Sequence, residues 1–520
     1  MNRDEMLGRA LARREPWDVA VVGGGATGAG VAIDAAARGY AVLLFERHDF
    51  GKGTSSRSTK LVHGGVRYLA QGDIRLVREA LRERGLMRQN APHVVHELAF
   101  VVPSYSRWTT AYYGLGLWAY NLLSGRLKFG STRRLSRAET LARVSTLNTN
   151  NLRGGVIYYD GQFDDARLLV NMTTTAAEQG ATVLNYARVT GLTRDAGGRV
   201  NGVAFRDEET GGEGHAAARV VVNATGVFCD DVRHLSDPGA PGMVSPSQGI
   251  HLVFDRSFLP GDTAFVVPRT PDGRVMFAIP WHGHALVGTT DVAVRAAPLE
   301  PVPTEQEVAF VLDTAGRYLQ KPPTRADVLS AFAGIRPLVS AGAGKNTAAL
   351  SRDHTIRVDP SGLLTITGGK WTTYRNMAED CVNRAAELGK LEPRPCVTRT
   401  LRIHGAHDDA GRFGPLAVYG SDAPLVAGLA DTDAELARPL HADLPYIGAE
   451  VVWAARNEMA RSVEDVLARR TRALFLNARA ALAMAPRVAE LLAVELGRDA
   501  AWRAAQVKAF GELAVGYVLA

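Results

Sequence analysis

Residues 54–69, TSSRSTKLVHGGVRYL, gather five hydroxyl side chains, Lys60, His63, a Gly-Gly pair, Arg67 and Tyr68. Hydroxyls and glycine-flanked N–H groups suit a phosphate-bearing ligand, and cations suit an anionic one. His63, with an ordinary pKa of about 6.5, can take or give a proton near neutrality, and the glycines beside it let another group approach. A second histidine, His251, opens the apolar run HLVF, and Arg336 precedes a proline that restricts its backbone. A planar guanidinium binds two phosphate oxygens at once. Lys370 follows a Gly-Gly turn that opens a helix, which brings an ammonium to an anion-binding backbone. Together these groups can fix an anionic substrate and move one of its protons. Each also has a plainer reading, since polar loops satisfy themselves, cations form ion pairs, and histidines in apolar strands are hydrogen-bonded core residues.

The elements that must position these residues begin near residue 17. WDVAVVGGGATGAGVAIDAAARGYAVLLFER reads as an apolar strand, Gly23-x-Gly25-x-x-Gly28, a small-residue helix to about Arg38, and a second strand ending at Glu46. This is a βαβ unit with a dinucleotide fingerprint. Its glycines allow a tight turn, close approach of a pyrophosphate and close helix–strand packing, with the helix N-terminus facing the phosphates. Glu46 ends the second strand, where its carboxylate can accept from both ribose hydroxyls. Two later segments favour FAD over NAD. ARVVVNATGVFCDDV (218–232) runs from a strand into Ala224-Thr225-Gly226, and GLLTITGGKWTTYRNMAEDCVNRAAEL (362–388) is a strand, a Gly368-Gly369 turn and a helix. Such returns complete the nucleotide domain of a two-domain flavoprotein.

Between the returns, GIHLVF, RVMFAIPW and HALVGTTD are strand-like pieces joined by Pro/Gly-rich loops, and after LEPRPC the chain turns Ala/Leu/Arg-rich and helical. GAEVVWAARNEMARSVEDVLARR is strongly periodic. The fold class is α/β (α+β overall): a Rossmann-like FAD-binding domain of the glutathione-reductase/amino-acid-oxidase type from 17–80, 151–232 and 351–388, a sheet-rich substrate domain from 81–150 and 233–350, and a helical domain over 390–520. The charge-free stretch before Arg126 places Trp108, Tyr112, Leu115, Ala119 and Leu122 at helical spacing. It reads first as a buried helix and second as an interfacial membrane contact, being too polar to span a bilayer. A net charge of +6 on 520 residues is a small excess. It suits anionic small molecules or lipid head groups, and no basic run with interleaved aromatics supports nucleic-acid binding. Cys229, Cys381 and Cys396 have neither an even count nor CxxC spacing, which argues against disulfides and a metal site. The N-terminus carries no apolar signal region, so a cytoplasmic location is expected.

In this order the motifs VVGGGATGAGVAIDAAARGY, GTSSRSTKLVHGGVRYL, DDARL, VNATGVF, IPWHGHALVGTTD, AGIRPL and TGGKWTTYRNMAED resemble the FAD-dependent glycerol-3-phosphate dehydrogenase family over roughly residues 17–388. The resemblance implies oxidation of sn-glycerol 3-phosphate to dihydroxyacetone phosphate, with electrons passing from FAD to membrane quinone. It also implies a peripheral position on the inner face of the cytoplasmic membrane against anionic lipid, and a homodimer. Thr54, Ser55, Ser56, Thr59 and Lys60 would then face FAD, joined by Ala224, Gly226, Gly369, Lys370 and Thr372. Arg67, Tyr68, Arg336, Lys370 and Thr373 would hold the substrate, and either His63 or His251 would be the base, with Arg336 beside it. Trp371 and Tyr374 are expected to pack. The family often has Lys-Gly-x-His where this chain has Gln248-Gly249-Ile250-His251, which on this reading removes one phosphate-attracting cation. Other readings on the same fold are an oxygen-using glycerophosphate oxidase, an amine or amino-acid oxidase, and a non-catalytic or tRNA-modifying flavoprotein.

Overall fold

The computed structural model describes residues 1–65, 73–268, 270, 273–339 and 354–519. Arg67 and Tyr68 lie outside the described residues, as do the side chains of Trp108, Tyr112 and Leu115.

Two sheets organise the chain. In the first, of eight strands among the described residues, Trp17–Val22 runs parallel to Val42–Phe45 on one side and to Glu213–Asn223 on the other. Thr182–Leu184 and Leu364–Gly368 extend the parallel set. Continuous runs such as Val19–Val22 are buried throughout, as a parallel sheet covered on both faces requires. Helix Ala26–Ala37 follows the first strand so closely that a Cβ on Gly28 would lie 1.8 Å from the Gly23 carbonyl oxygen. Helix Tyr374–Gly389 packs against it, with Tyr374 at Gly30.

The second sheet has ten strands among the described residues. Its long antiparallel pair, Val244–Asp255 with Val328–Val339, sets Ser247 opposite Arg336, Gly249 opposite Gly334 and His251 opposite Phe332. Two segments that the sequence division assigns to the nucleotide half pair here instead. Gly154–Phe163 lies beside Val95–Ser104, and Leu61–Val62 pairs with Gly161 and Gln162. The chain therefore crosses from one sheet to the other directly after the hydroxyl-rich loop, which brings that loop to the seam.

Helix Arg107–Leu123 buries Leu117 and Tyr120 but leaves Trp118 57% and Leu122 69% exposed, so Leu122 is turned outward, away from the buried stripe expected of it. The regular elements of the C-terminal region are helices apart from the hairpin Pro439–His441/Leu444–Ile447. Its periodic run is not one helix. Helix Gly448–Asn457 ends before Met459, whose φ is +54°, and a π-helical turn follows at Asp465–Arg470. The break aims two arginines into the nucleotide half: Arg470 donates to both oxygens of Asp49 at 2.7 and 2.9 Å, and Arg469 donates to Asp49 at 2.5 Å. Burial raises the Asp49 pKa, but the two guanidinium charges outweigh it and hold the carboxyl down at about 2. Leu474, Phe475 and Leu492 share one core with Trp281, Leu286 and Phe332 of the second sheet, so the C-terminal helices complete that sheet's packing. Among the described residues no helix is long and apolar enough to cross a membrane.

Candidate active site

A cavity of about 720 Å³ opens where the two sheets meet, within the usual range for cofactor pockets. Its walls include Gly23, Gly25, Glu46, Thr54, Ser55, Ala224, Gly226, Gly369 and Lys370. Gly23 has φ +108°, and a Cβ there would meet the Ala224 carbonyl oxygen at 2.8 Å, so the turn admits glycine alone. The helix opening at Ala26 has no cap of its own: the Ser55 hydroxyl, from the loop across the cavity, accepts from the Ala26 N–H at 3.0 Å. Glu46 accepts from the Gly24 N–H at 2.7 Å and the His48 N–H at 2.8 Å, and burial raises its pKa. Each carboxylate oxygen keeps a second lone pair for a hydroxyl in the cavity. Thr54 donates to the Ile335 carbonyl at 2.6 Å, and Pro337 also lines the cavity, which ties the strand bearing Arg336 to the nucleotide pocket.

The rest of the hydroxyl-rich loop faces elsewhere. Gly28 serves helix–strand packing and does not line the cavity. Ser56 donates to the Gly51 carbonyl at 2.6 Å. Lys60 is fully buried, with φ +63°; its Nζ donates to Asp165 Oδ2 at 2.6 Å and to the Ser56 carbonyl at 2.8 Å. Burial pulls its pKa down to about 7 against the opposing charge of Asp165. Lys60 therefore does not face the cofactor pocket as the sequence reading has it, because the left-handed turn swings the ammonium to the acid in DDARL. Thr59 bonds instead to His251, its Oγ1 lying 3.0 Å from Nε2.

His251 is 2% exposed and stacks on Phe332, the ring centroids 5.0 Å apart. Burial first, then the charges of Lys60 and Arg336, push its pKa well below 6.5, so the ring is neutral. Its Nδ1 is buried and has no hydrogen-bond partner among the described residues. Arg336 lies beside it: Nη2 donates to Thr289 Oγ1 and to the Thr290 carbonyl, each at 3.0 Å, and Nη1 lies 3.4 Å from Asp291 Oδ1. Its side chain stays 26% exposed. A Cβ on Gly249 would meet Arg336 Nη2 at 2.3 Å, so this glycine makes room for the guanidinium. Gln248 points to the opposite face, where its amide donates to Glu307 at 2.8 Å and to the Val302 carbonyl at 3.1 Å. The residue at 248 thus removes no cation from the site.

His63 is half-buried at the end of Leu61–Val62, and Thr372 clamps its backbone: the His63 N–H donates to Thr372 Oγ1 at 3.3 Å, and that hydroxyl donates to the His63 carbonyl at 3.4 Å. The Thr372 hydroxyl proton thus goes to His63, and that of Thr373 to the Lys370 carbonyl, 3.2 Å from its hydroxyl, so each could meet a ligand only as an acceptor. Trp371 donates to the Ser55 carbonyl at 2.9 Å. A support that sequence reasoning missed is Tyr120. Its hydroxyl accepts from the Gly64 N–H and donates to Asp160, both at 2.7 Å, and Asp160 is paired with Arg84 at 2.8 Å. A Cβ on Gly64 would lie 2.6 Å from that hydroxyl, so the first glycine of the Gly-Gly pair admits Tyr120.

Residues 18–375 match the family described as FAD dependent oxidoreductase, and residues 396–503 match the C-terminal domain of alpha-glycerophosphate oxidase. The chain is 42% identical to the mitochondrial glycerol-3-phosphate dehydrogenase of Arabidopsis thaliana, over 94% of this chain and 84% of that one. It belongs to the FAD-dependent glycerol-3-phosphate dehydrogenase family. The human mitochondrial member is 39% identical over 94% of this chain and 72% of its own length. The glycerol-3-phosphate dehydrogenase of Bacillus halodurans, solved in complex with FAD, superposes with a TM-score of 0.80 at 29% identity, covering 99% of this chain and 98% of that one. The cofactor of the family is FAD, and the cavity fits it: the Gly23–Gly25 turn and helix N-terminus suit the pyrophosphate, Glu46 the ribose, and Gly226 leaves one wall open, with nothing within 4 Å of where its Cβ would be.

Proposed function

We propose that this protein oxidises sn-glycerol 3-phosphate to dihydroxyacetone phosphate with FAD and passes the electrons to membrane quinone in glycerol catabolism. The observation that carries the reading is that one antiparallel strand pair bears both the buried His251 and Arg336 on the same face, and that Pro337, next to Arg336, lines the FAD pocket. The names of the relatives support the substrate. Arg336 and Lys370 bind the phosphate, the guanidinium as a fork and the ammonium as a point charge. His251 takes the hydroxyl proton on Nδ1, and the apolar wall formed by Phe332 excludes water from the ring. Bound FAD supplies the hydride acceptor. His63, on its Thr372 clamp, orients the substrate.

Trp118 and Leu122 stand one turn apart on the exposed face of helix Arg107–Leu123, with the exposed Arg133 and Arg134 in the following strand. Amphipathic aromatic and aliphatic side chains beside basic ones suit a peripheral position on an anionic bilayer. The reading places the protein as a homodimer on the inner face of the cytoplasmic membrane. Anionic vesicles carrying ubiquinone test it. Holoenzyme given sn-glycerol 3-phosphate is expected to pellet with the vesicles at low salt, to form dihydroxyacetone phosphate and to reduce the quinone. Oxygen uptake with stoichiometric hydrogen peroxide and an unreduced quinone would put a glycerophosphate oxidase in its place.

A further inference from the structure

We infer that Thr59 is a positioning residue for His251, and that the buried Lys60–Asp165–Arg472 cluster holds Thr59 in place, so that the C-terminal region sets the geometry of proton transfer. The inference rests on the reading of His251 as the base. His251 Nε2 lies 3.0 Å from Thr59 Oγ1, while Nδ1 is buried without a hydrogen-bond partner among the described residues. A neutral imidazole carries one N–H, so the partner of one nitrogen decides what the other can do. With Nε2–H donating to Thr59, the lone pair is on Nδ1, the form able to accept a proton.

Thr59 is held from both sides. Ser58 donates to Asp165 Oδ2 through its N–H at 3.1 Å and its hydroxyl at 2.6 Å, and Lys60 Nζ donates to the same oxygen at 2.6 Å. The ammonium sits 5.2 Å from the ring centroids of Trp281 and Phe332 and 5.4 Å from that of Phe475. Phe332 is also the ring on which His251 stacks, so the lysine and the histidine share one aromatic wall. The other Asp165 oxygen accepts from Arg472 at 3.1 Å, and Arg472 also donates to the Ser56 carbonyl at 2.8 Å. Arg472 comes from the C-terminal region, where φ +64° turns it inward. The charged groups that bear on the His251 ring are Lys60 from the loop and Arg336 from the facing strand. Each is held by a carboxylate, Asp165 and Asp291 respectively.

Thr59→Val keeps the side-chain volume and removes the hydroxyl, and Thr59→Ser keeps the hydroxyl. In the holoenzyme, Thr59→Val is expected to slow flavin reduction by sn-glycerol 3-phosphate about tenfold and to move the acid limb of the rate–pH profile. FAD content and KM should stay unchanged, and Thr59→Ser should stay within about twofold of wild type. The nitrogen-15 resonances of His251, assigned by their loss in His251→Asn, should report protonation at Nε2 in the wild type and a shifted tautomer population in Thr59→Val. Wild-type rate, profile and resonances in Thr59→Val would overturn the inference, as would a slowed rate that Thr59→Ser does not restore. If the wild type is not reduced by this substrate but the resonances still shift in Thr59→Val, the positioning role stands and the proposed reaction falls.

Discussion

Arg336→Ala is expected to lower kcat/KM for sn-glycerol 3-phosphate roughly a hundredfold or more while the purified protein stays yellow. Nη2 of the guanidinium donates to Thr289 Oγ1 and the Thr290 carbonyl at 3.0 Å, and the side chain stays 26% exposed. Charge-assisted hydrogen bonds are worth about 1.5–3 kcal/mol each, so losing a forked pair to a phosphate removes several kcal/mol of binding. Arg336 itself does not line the FAD cavity, which is why cofactor content should survive. Arg336→Lys should recover only part of the loss, because an ammonium cannot reproduce the fork. Steady-state kinetics with the visible absorbance of bound FAD check this, and unchanged kinetics in Arg336→Ala would remove it from the phosphate site.

Asp49→Ala is expected to be the most destabilising single change outside the site. Arg470 is fully buried and donates to both Asp49 oxygens, and Arg469, 3% exposed at its side chain, donates to one of them. Removing the carboxylate leaves two guanidiniums without their shared partner, and breaking a buried pair typically costs about 3–5 kcal/mol. The contact joins the loop after the second strand to the C-terminal π-helical turn, so the loss should loosen the two regions together. The pH dependence follows from the same pair. Because the folded-state pKa of Asp49 is depressed to about 2, its contribution is present in full above the ordinary carboxylate value near 3.8 and is lost as pH falls toward 2. Denaturant unfolding of wild type and Asp49→Ala at neutral pH should show the full gap, and the gap should narrow progressively in acid. A variant as stable as wild type at neutral pH would contradict this role.

The nucleotide half was the most legible part of the chain. A strand, a spaced set of glycines, a small-residue helix and a terminal acid are local signals, and the tight turn at Gly23 and the close packing at Gly28 reappear in the structure as backbone contacts that a Cβ would break. Arg336 and His251 were legible as chemistry, but their neighbourhood depends on strand register, which a single chain does not print. One error was avoidable. Positions 248 and 251 are three apart on one strand, and an odd spacing puts them on opposite faces, so Gln248 cannot share His251's side. The orientation of Lys60 was not legible, since it turns on a left-handed backbone at a lysine and on an aspartate more than a hundred residues away. Tyr120 was hidden for a related reason: a tyrosine in an aromatic helix reads as packing until its hydroxyl is seen against the Gly64 N–H. The periodic stretch after Gly448 marked a helical region but not its break, because helical spacing continues through Met459, where the backbone does not.

The most direct test of the central claim is an anaerobic mix of the yellow holoenzyme with sn-glycerol 3-phosphate, with glycerol and an amino acid as controls, following the visible flavin absorbance. Rapid bleaching by the phosphate ester alone is the predicted result, since only that substrate offers both a secondary alcohol for His251 and an anion for Arg336. An unbleached flavin in protein that retains FAD and its fold, or equal bleaching by glycerol, would contradict the account.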